Sequence, residues 1–293
     1  MKIVFIGTVE FSKKALEKLI EIKAEVAGVC TKEQSNYNSD FADLIPTCKE
    51  NNIPFKFVND INSKENIEWI KSLNPDIIFC FGWSSLIKKE LLTIAPMGVV
   101  GFHPAKLPQN RGRHPLIWAL ALGLKESAST FFFMEEGADD GDILSQKDFS
   151  LLENDDAKSL YTKVIDIAID QIEEFVPKLQ NKAYSRTIQN HEKSNIWRKR
   201  GKKDGEIDFR MSSKSIFNLI RALTKPYVGA HYVYEENDII VYKSEIIDNN
   251  QQNIESGKVL ASNNEYIIVK TYDGAIKLIN NGFKKIPKTG EYL

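Results

Sequence analysis

The sequence predicts an α/β fold with a parallel sheet, followed by a smaller domain of short strands. Strands and helices alternate along roughly the first 180 residues, as they do in successive βαβ units. From residue 205 onward, short alternating segments are separated by Asn, Gly and Asp turns. A basic segment, 197–203, lies between the two patterns. We therefore expect a first domain over 1–196, a connector over 197–204 and a second domain over 205–293.

Hydrophobic periodicity predicts the elements in chain order. A β-branched and aromatic run predicts the first strand over 2–6, and apolar residues at helical spacing predict a helix over 11–22. The next predicted elements are strands over 25–30 and 53–58, a helix near 63–73, a strand over 76–82, a helix near 88–94, a strand leading into His103, a helix over 114–122, strands over 129–134 and 143–151, and an amphipathic helix over 157–179. In the second domain they are a helix over 213–223 and strands around 231–234, 238–244, 265–272 and 275–279.

Composition limits the class of protein. The chain has 293 residues, 42% of them hydrophobic, and a formal charge of −1, so nothing draws the whole protein to nucleic acid or to an anionic membrane. Its three cysteines have no metal-ligand or disulfide spacing, which predicts a reduced, cytoplasmic setting. The first apolar run is too short for a signal peptide or a membrane span. The turn after it has one glycine, which disfavours a nicotinamide cofactor.

One histidine and one acidic turn carry the chemical signal. His103 follows a buried strand, so it is expected at the carboxyl end of the sheet, where open parallel sheets bind ligands. Pro104 and Pro108 stiffen the loop that follows. A turn with Asp139, Asp140 and Asp142 comes some thirty-odd residues later. The pairing suits acyl or formyl transfer. A satisfied core histidine and a plain turn or helix-capping aspartate are the alternatives.

These residues resemble the folate-dependent formyltransferases. The signature of that family is Asn-x-His, a Leu-Pro and Arg-Gly loop, and a later Asp-x-Gly. The matching positions here are Gly101, His103, Leu107-Pro108, Arg111-Gly112 and Asp139-Asp140-Gly141. Residues 75–87 are similar to the family's folate-side strand and loop, and 221–230 to its carboxy-terminal domain. The resemblance implies a Rossmann-like first domain, an OB-like second domain and, commonly, a homodimer formed through the second domain.

The resemblance also implies roles for residues. N10-formyltetrahydrofolate would be the formyl donor, with no metal required. His103 would serve as base and acid, and the register of the motif selects Asp139 to orient it. The folate would lie against a set of residues on two loops: Trp83, Leu86, Ile87, Glu135, Gly137 and Asp139. The acceptor would approach from Gly7, Thr8, Phe11, Arg111, Arg113 and Arg198. Trp83 could equally be a core aromatic, and the basic segment 197–203 a solvated linker.

Gly101 departs from the family pattern, which has asparagine there. In relatives that amide donates a hydrogen bond to the formyl oxygen as charge develops. Losing one such donor costs roughly a hundred- to thousandfold in rate. We expect a water, a backbone amide or protonated His103 to take over. If none does, the chain is a weak enzyme, or a folate or nucleotide-sugar sensor without catalytic activity.

Charge separates the acceptors that the family uses. From residue 205 onward, eleven Lys and Arg balance eleven Asp and Glu, whereas a tRNA binder should show a basic footprint. Segment 31–43 is short and not basic, where methionyl-tRNA formyltransferases carry a Lys/Arg-rich insertion. We therefore expect a nucleotide-linked amino-deoxysugar, at the finest level a UDP-linked 4-amino-4,6-dideoxy sugar, and no nucleic acid. Methionyl-tRNA formyltransferase and formyltetrahydrofolate hydrolase are the alternatives.

Overall fold

The computed structural model describes residues 1–34, 40–279, 283 and 285–293. The strands in these ranges are β1 (Lys2–Ile6), β2 (Glu25–Thr31), β3 (Phe55–Phe57), β4 (Ile77–Cys80), β5 (Val99–His103), β6 (Arg111–Gly112), β7 (Glu126–Phe133), β8 (Ile143–Ser150), β9 (Ile196–Trp197), β10 (Ala230–Tyr234), β11 (Asn237–Val241), β12 (Ser244–Ile247), β13 (Val259–Ser262), β14 (Tyr266–Lys270) and β15 (Ala275–Ile279). The α-helices are α1 (Glu10–Glu21), α2 (Ile45–Glu50), α3 (Lys64–Ser72), α4 (Lys89–Leu92), α5 (Pro115–Ala121), α6 (Ala157–Gln180) and α7 (Ser213–Leu223).

The chain forms two compact units that are interleaved along the sequence. The first comprises 1–112, 127–149 and 162–196, and the second comprises 113–126, 150–161 and 197–293. Segments 113–126 and 150–161 fall in the second unit, and the linear division into domains stays a prediction. In the second unit α5 packs on α7, and the Arg221 guanidinium donates to the carbonyl oxygens of Leu152, Glu153 and Asp155. These contacts place both segments with the carboxy-terminal part of the chain.

A seven-stranded sheet with the order β3-β2-β1-β4-β5-β7-β8 is the framework of the first unit. The pairs β3–β2, β2–β1, β1–β4 and β4–β5 are parallel, which confirms the predicted α/β class. Strand β7 instead pairs antiparallel with β5, with Gly101 opposite Phe132 and His103 opposite Thr130. Between these strands, α5 belongs to the second unit, so this segment does not supply the helical crossover that a parallel pair requires.

Large aromatic side chains form part of the core of the first unit. Phe5, Phe79, Phe81 and Phe131 are fully buried, and the Phe79 and Phe81 rings stack with centroids 5.1 Å apart. Rings of this size contribute most of the apolar area in such a core. Four residues lie at the ends of β2 and β5 or shortly after β1 and β4, namely Thr31, His103, Thr8 and Trp83. The sequence-predicted site lies along this carboxyl edge of the sheet.

The second unit contains a β domain and α7. Strands β10 and β11 form an antiparallel pair, and a separate antiparallel sheet has the order β12-β15-β14-β13. The strand predicted over 238–244 is in fact divided between β11 and β12. An OB-like barrel remains a prediction. Within the described ranges, no helix combines the length and the apolar character that crossing a membrane requires.

Candidate active site

His103 is the last residue of β5 and is held from both sides of its ring. Its side chain is buried, with 5% of the residue exposed. The Nε2 atom lies 2.7 Å from the carbonyl oxygen of Asn110, and the Nδ1 atom lies 3.5 Å from Oδ2 of Asp139. The structure therefore brings the predicted histidine and carboxylate together.

Both neighbours of the His103 ring nitrogens are hydrogen-bond acceptors. A backbone carbonyl can only accept a hydrogen bond, so Nε2 carries the proton in this arrangement. The Asp139 carboxylate also accepts only, so it favours a proton on Nδ1 as well. The ring thus faces a hydrogen-bond acceptor at each nitrogen, and the acceptor at Nδ1 is a carboxylate.

Asp139 is fixed by its own backbone and by the loop after His103. It adopts a left-handed conformation with φ +54, which is uncommon for a residue other than glycine. Its Oδ2 accepts a 2.8 Å hydrogen bond from the backbone N–H of Gly112. Gln189 donates to the carbonyl oxygens of Asp139 and Gly141, at 2.9 Å and 2.6 Å. The turn is thereby held at its carboxylate and at two carbonyls.

Gly101 has no room for a side chain. A Cβ atom built on it would lie 2.8 Å from Cγ and 3.1 Å from Sδ of Met134, and 3.2 Å from Cε1 of Phe132. Contacts below 3.0 Å force a neighbour to move, so the Met134 thioether blocks the position that an asparagine side chain would need. Glycine at position 101 is therefore compatible with the position of the Met134 side chain, whereas a larger residue is not.

The predicted folate residues differ in exposure. Leu86 is 63% exposed and Ile87 is buried. The Leu86 carbonyl accepts a 2.9 Å hydrogen bond from Asn62, which also accepts from the N–H of Lys88. The half-buried Trp83 carries a buried Nε1 that has no hydrogen-bond partner among the described residues. This indole N–H is a donor available to a ligand.

The Trp83 indole and the opposite loop have further neighbours. The ammonium of Lys32 lies 5.0 Å from the centre of the Trp83 ring, within the range of a cation–π contact. On the opposite loop Glu135 is exposed, and a Cβ atom on Gly137 would collide with Oδ2 of Asp140, 1.8 Å away. The carboxylate of Asp140 therefore packs beneath Gly137.

The predicted residues near the amino terminus fall into two groups. Phe11 is a core residue, with its ring centroid 4.3 Å from that of Phe102. Gly7 and Thr8 lie after β1, and the Thr8 hydroxyl is fully buried with no hydrogen-bond partner in the part of the chain that the structure describes. The hydroxyl of Thr31, at the end of β2, is in the same condition.

The three predicted arginines belong to two different units. Arg111 is buried, and its guanidinium donates to Gln189 Oε1 at 2.7 Å and lies 3.3 Å from Nδ1 of His191. Arg113 and Arg198 belong to the second unit and are exposed. Arg198 forms an ion pair with Asp204, and this pairing keeps the pKa of Asp204 below its ordinary value.

Sequence reasoning missed four residues of this site: Asn62, Asn110, Met134 and Gln189. Asn110 acts through a backbone carbonyl, which no sequence pattern reveals. Gln189 lies 50 positions from Asp139 along the chain, in a polar stretch that gives no sign of burial. The family motif could have directed attention to Met134, because a glycine in place of asparagine leaves a volume that some neighbour must fill.

Comparisons with known proteins identify the family. The family model described as "Formyl transferase" matches residues 1–174, and "Formyl transferase, C-terminal domain" matches residues 199–289. A methionyl-tRNA formyltransferase of Clostridioides difficile (strain 630) is 30% identical over 299 residues, covering 100% of this chain and 96% of the relative.

Solved structures share the fold. WlaRD, a sugar 3N-formyl transferase solved in the presence of dTDP and 5-N-formyl-THF, is 18% identical with a TM-score of 0.73, covering 96% of this chain and 98% of its own. HypX from Aquifex aeolicus, in complex with tetrahydrofolic acid, is 17% identical with a TM-score of 0.69. That comparison covers 95% of this chain but 43% of HypX, so the chain spans less than half of that longer protein.

Proposed function

The chain belongs to the formyl transferase family, and we propose that it moves a formyl group from N10-formyltetrahydrofolate to the amine of a nucleotide-linked amino-deoxysugar. The observation that supports the chemistry is the buried pair of His103 and Asp139 at the carboxyl end of β5, with Nδ1 and Oδ2 3.5 Å apart. We assign the folate to the loops of Trp83, Leu86 and Glu135.

His103 acts through a change of tautomer. To accept the amine proton, Nε2 gives up its bond to the Asn110 carbonyl and releases its proton to solvent, while Nδ1, facing Asp139, takes up a proton from solvent, so that the ring stays neutral. The amine lone pair then forms a bond to the formyl carbon, and the amine proton passes to Nε2. Breakage of the bond between the formyl carbon and N10 returns that proton to the departing nitrogen. Positioned acid–base groups of this kind contribute roughly 10²–10⁴-fold to rate.

The oxyanion of the tetrahedral intermediate needs a donor other than an amide at position 101. Position 101 is a glycine packed against Met134. It has no side chain that could serve as this donor, whatever rotamers its neighbours adopt. Once His103 has taken the amine proton, its imidazolium is the charged donor that our proposal assigns to the negative charge on the formyl oxygen. Hydrogen bonds from ionised donors are about twice as strong as neutral ones.

Charge supports the choice of acceptor. Residues 205–293 carry eleven basic and eleven acidic side chains, and segment 31–43 has one basic and three acidic residues. Binding to tRNA depends on neutralising phosphates along an extended surface, which a balanced domain does poorly. A small acceptor needs contacts with one diphosphate instead. Within this class we propose a UDP-linked 4-amino-4,6-dideoxy sugar.

A second candidate is methionyl-tRNA formyl transfer. The 30% identity to a methionyl-tRNA formyltransferase over the full length of the chain favours it. Water as acceptor, giving a formyltetrahydrofolate hydrolase, is the third. That reaction uses the same His103 and Asp139 but has no need of the second unit.

The test is release of tetrahydrofolate from N10-formyltetrahydrofolate, measured alone, with a panel of UDP- and dTDP-amino sugars, and with methionyl-tRNA. We expect release with one amino sugar, and loss of that release in His103→Ala. His103→Ala must retain the unfolding midpoint of the wild type within a few degrees for the loss to count as chemical.

Each of the other outcomes would assign a different function to the chain. Release only with methionyl-tRNA, weakening steeply with salt, would assign the tRNA reaction. Release without any amine would assign the hydrolase. Folate binding without release under any condition would make the chain a sensor.

A further inference from the structure

A buried polar pair lies behind the Asp139 turn and outside the set that the reaction itself uses. Arg111 is 6% exposed and Gln189 is 3% exposed. A buried guanidinium is tolerated only when its N–H groups have partners, so such a pair has a structural cost that its contacts must offset. Those contacts include the backbone of the turn that carries the Asp139 carboxylate.

The amide of Gln189 is fully used. Its Oε1 accepts from Arg111, 2.7 Å from Nη2 and 3.3 Å from Nε. Its Nε2 donates to the carbonyl oxygens of Asp139 and Gly141. His191 Nδ1, 3.3 Å from Arg111 Nη2, must accept, because a guanidinium has no acceptor. One side chain thus connects a buried cation to both ends of the Asp139 turn.

Asp139 has particular need of this support. Its φ of +54 is a left-handed conformation that costs free energy in a residue other than glycine, and contacts around the turn offset that cost. Its carboxylate receives the N–H of Gly112, the residue next to Arg111. Arg111 and Gln189 therefore hold both the turn that carries the carboxylate and the loop that donates to it.

We propose that Gln189, backed by Arg111, is a positioning residue that holds the Asp139 carboxylate against Nδ1 of His103. The inference rests on the formyl transfer proposed above. It gives Arg111 a role different from the substrate contact that the sequence predicted. Neither residue touches the reacting atoms; both act through Asp139.

Two variants test the amide. Gln189→Leu removes every hydrogen bond at similar volume, and Gln189→Glu keeps the acceptor for Arg111 but turns an oxygen toward two carbonyls. We expect each to lower kcat roughly 10- to 100-fold, with the KM of the folate donor within about twofold. In an Asp139→Asn background, Gln189→Leu should cause no further loss, since the carboxylate that it positions is already gone.

A matched control separates positioning from general stability. Gln171 is fully buried on α6 and donates to Ser129 O and Ser145 Oγ, away from the Asp139 turn. Gln171→Leu should leave kcat unchanged while its unfolding midpoint moves as that of Gln189→Leu does. Equal losses of kcat in the two variants would overturn the proposal.

A readout without an acceptor keeps this inference independent of the proposed substrate. ¹⁵N NMR of the His103 ring should show a changed Nδ1 signal in Gln189→Leu and Asp139→Asn, and the wild-type signal in Gln171→Leu. An unchanged His103 spectrum in Gln189→Leu would contradict the proposal even if no acceptor is found. Additive losses of kcat in the double variant would contradict it as well.

Discussion

The carboxyl edge of the seven-stranded sheet has two halves whose polar side chains differ in hydrogen bonding. In the β5 half, His103, Asp139 and Gln189 all bond to protein atoms, although Oδ1 of Asp140 is buried with no partner in the part of the chain that the structure describes. In the β2–β1–β4 half, the Thr8 and Thr31 hydroxyls and the Trp83 indole N–H are buried with no hydrogen-bond partner among the described residues. Native proteins rarely leave buried polar groups unpaired without a functional reason.

This difference distinguishes side chains that are positioned for the reaction from side chains that are available to bind a ligand. Groups that the protein has already bonded are set in place before substrate arrives, which is what acid–base chemistry requires. Groups that are still unbonded gain a partner only when a ligand supplies one. We therefore expect changes in the β5 half to lower kcat, and changes in the β2–β1–β4 half to raise KM or Kd.

The largest expected effect is that of Asp139→Asn. The asparagine amide would keep an oxygen toward the N–H of Gly112 but would remove the negative charge that faces Nδ1 of His103, so kcat should fall roughly 10²–10⁴-fold. The matched control is Asp140→Asn, one residue away, with its Oδ2 under Gly137. Steady-state kinetics should show the loss only in Asp139→Asn. Equal losses in both variants would contradict a specific role for Asp139, because any carboxylate of the turn would then matter equally.

The next effect is on stability. Gly101→Asn should destabilise the fold by about 1–3 kcal/mol, because the new Cβ atom meets the Met134 thioether. Adding Met134→Ala should relieve this clash, so that the double variant is more stable than the sum of the two single changes predicts. Chemical denaturation of the four proteins measures the coupling. Strict additivity would show that Met134 does not fill the position of the missing side chain.

A smaller effect is expected from Trp83→Phe. It removes the unbonded indole N–H and keeps an aromatic face for Lys32. Losing one ligand hydrogen bond of about 0.5–1.5 kcal/mol should weaken folate binding roughly 2- to 12-fold, with kcat unchanged. Fluorescence or calorimetric titration with a folate checks this. A fall in kcat at constant folate affinity would contradict this and would give Trp83 a role in the reaction.

The smallest effect concerns thiol labelling. Burial raises the pKa of Cys30, at the end of β2, and of Cys80, at the end of β4, to about 12, and that of Cys48 to about 11. A raised thiol pKa leaves almost no thiolate at pH 8, so Ellman's reagent should label none of the three rapidly in the native protein and all three in guanidinium. Rapid native labelling of Cys30 or Cys80 would show that the β2–β1–β4 half opens spontaneously.

Local periodicity predicted the long elements well. The strand over 2–6, the helix over 213–223 and the strand over 275–279 are confirmed to the residue. The short elements α2, β6, β9 and β13 were not predicted, since two to six residues carry too little pattern. The antiparallel pairing of β5 with β7 depends on where α5 packs, which is a property of the whole fold.

The site divides in the same way. The family motif directed attention to His103, Asp139 and the unusual Gly101. It could not indicate that an Asn110 carbonyl bonds the ring or that Gln189 holds the turn, because these are contacts across 7 and 50 positions of the chain. Arg111 shows the limit most clearly. An arginine in a ligand-side loop suggests a phosphate contact, yet its guanidinium is buried against Gln189.

The most direct test of this division pairs turnover with donor affinity in His103→Ala. Tetrahydrofolate release in the presence of the amino-sugar acceptor and the Kd for a folate would be measured on the same preparation. We predict a loss of release of at least roughly 10²-fold, with the Kd unchanged within about twofold. Release that persists, or a folate affinity that falls in parallel with release, would contradict the assignment of chemistry to the β5 half and of recognition to the β2–β1–β4 half.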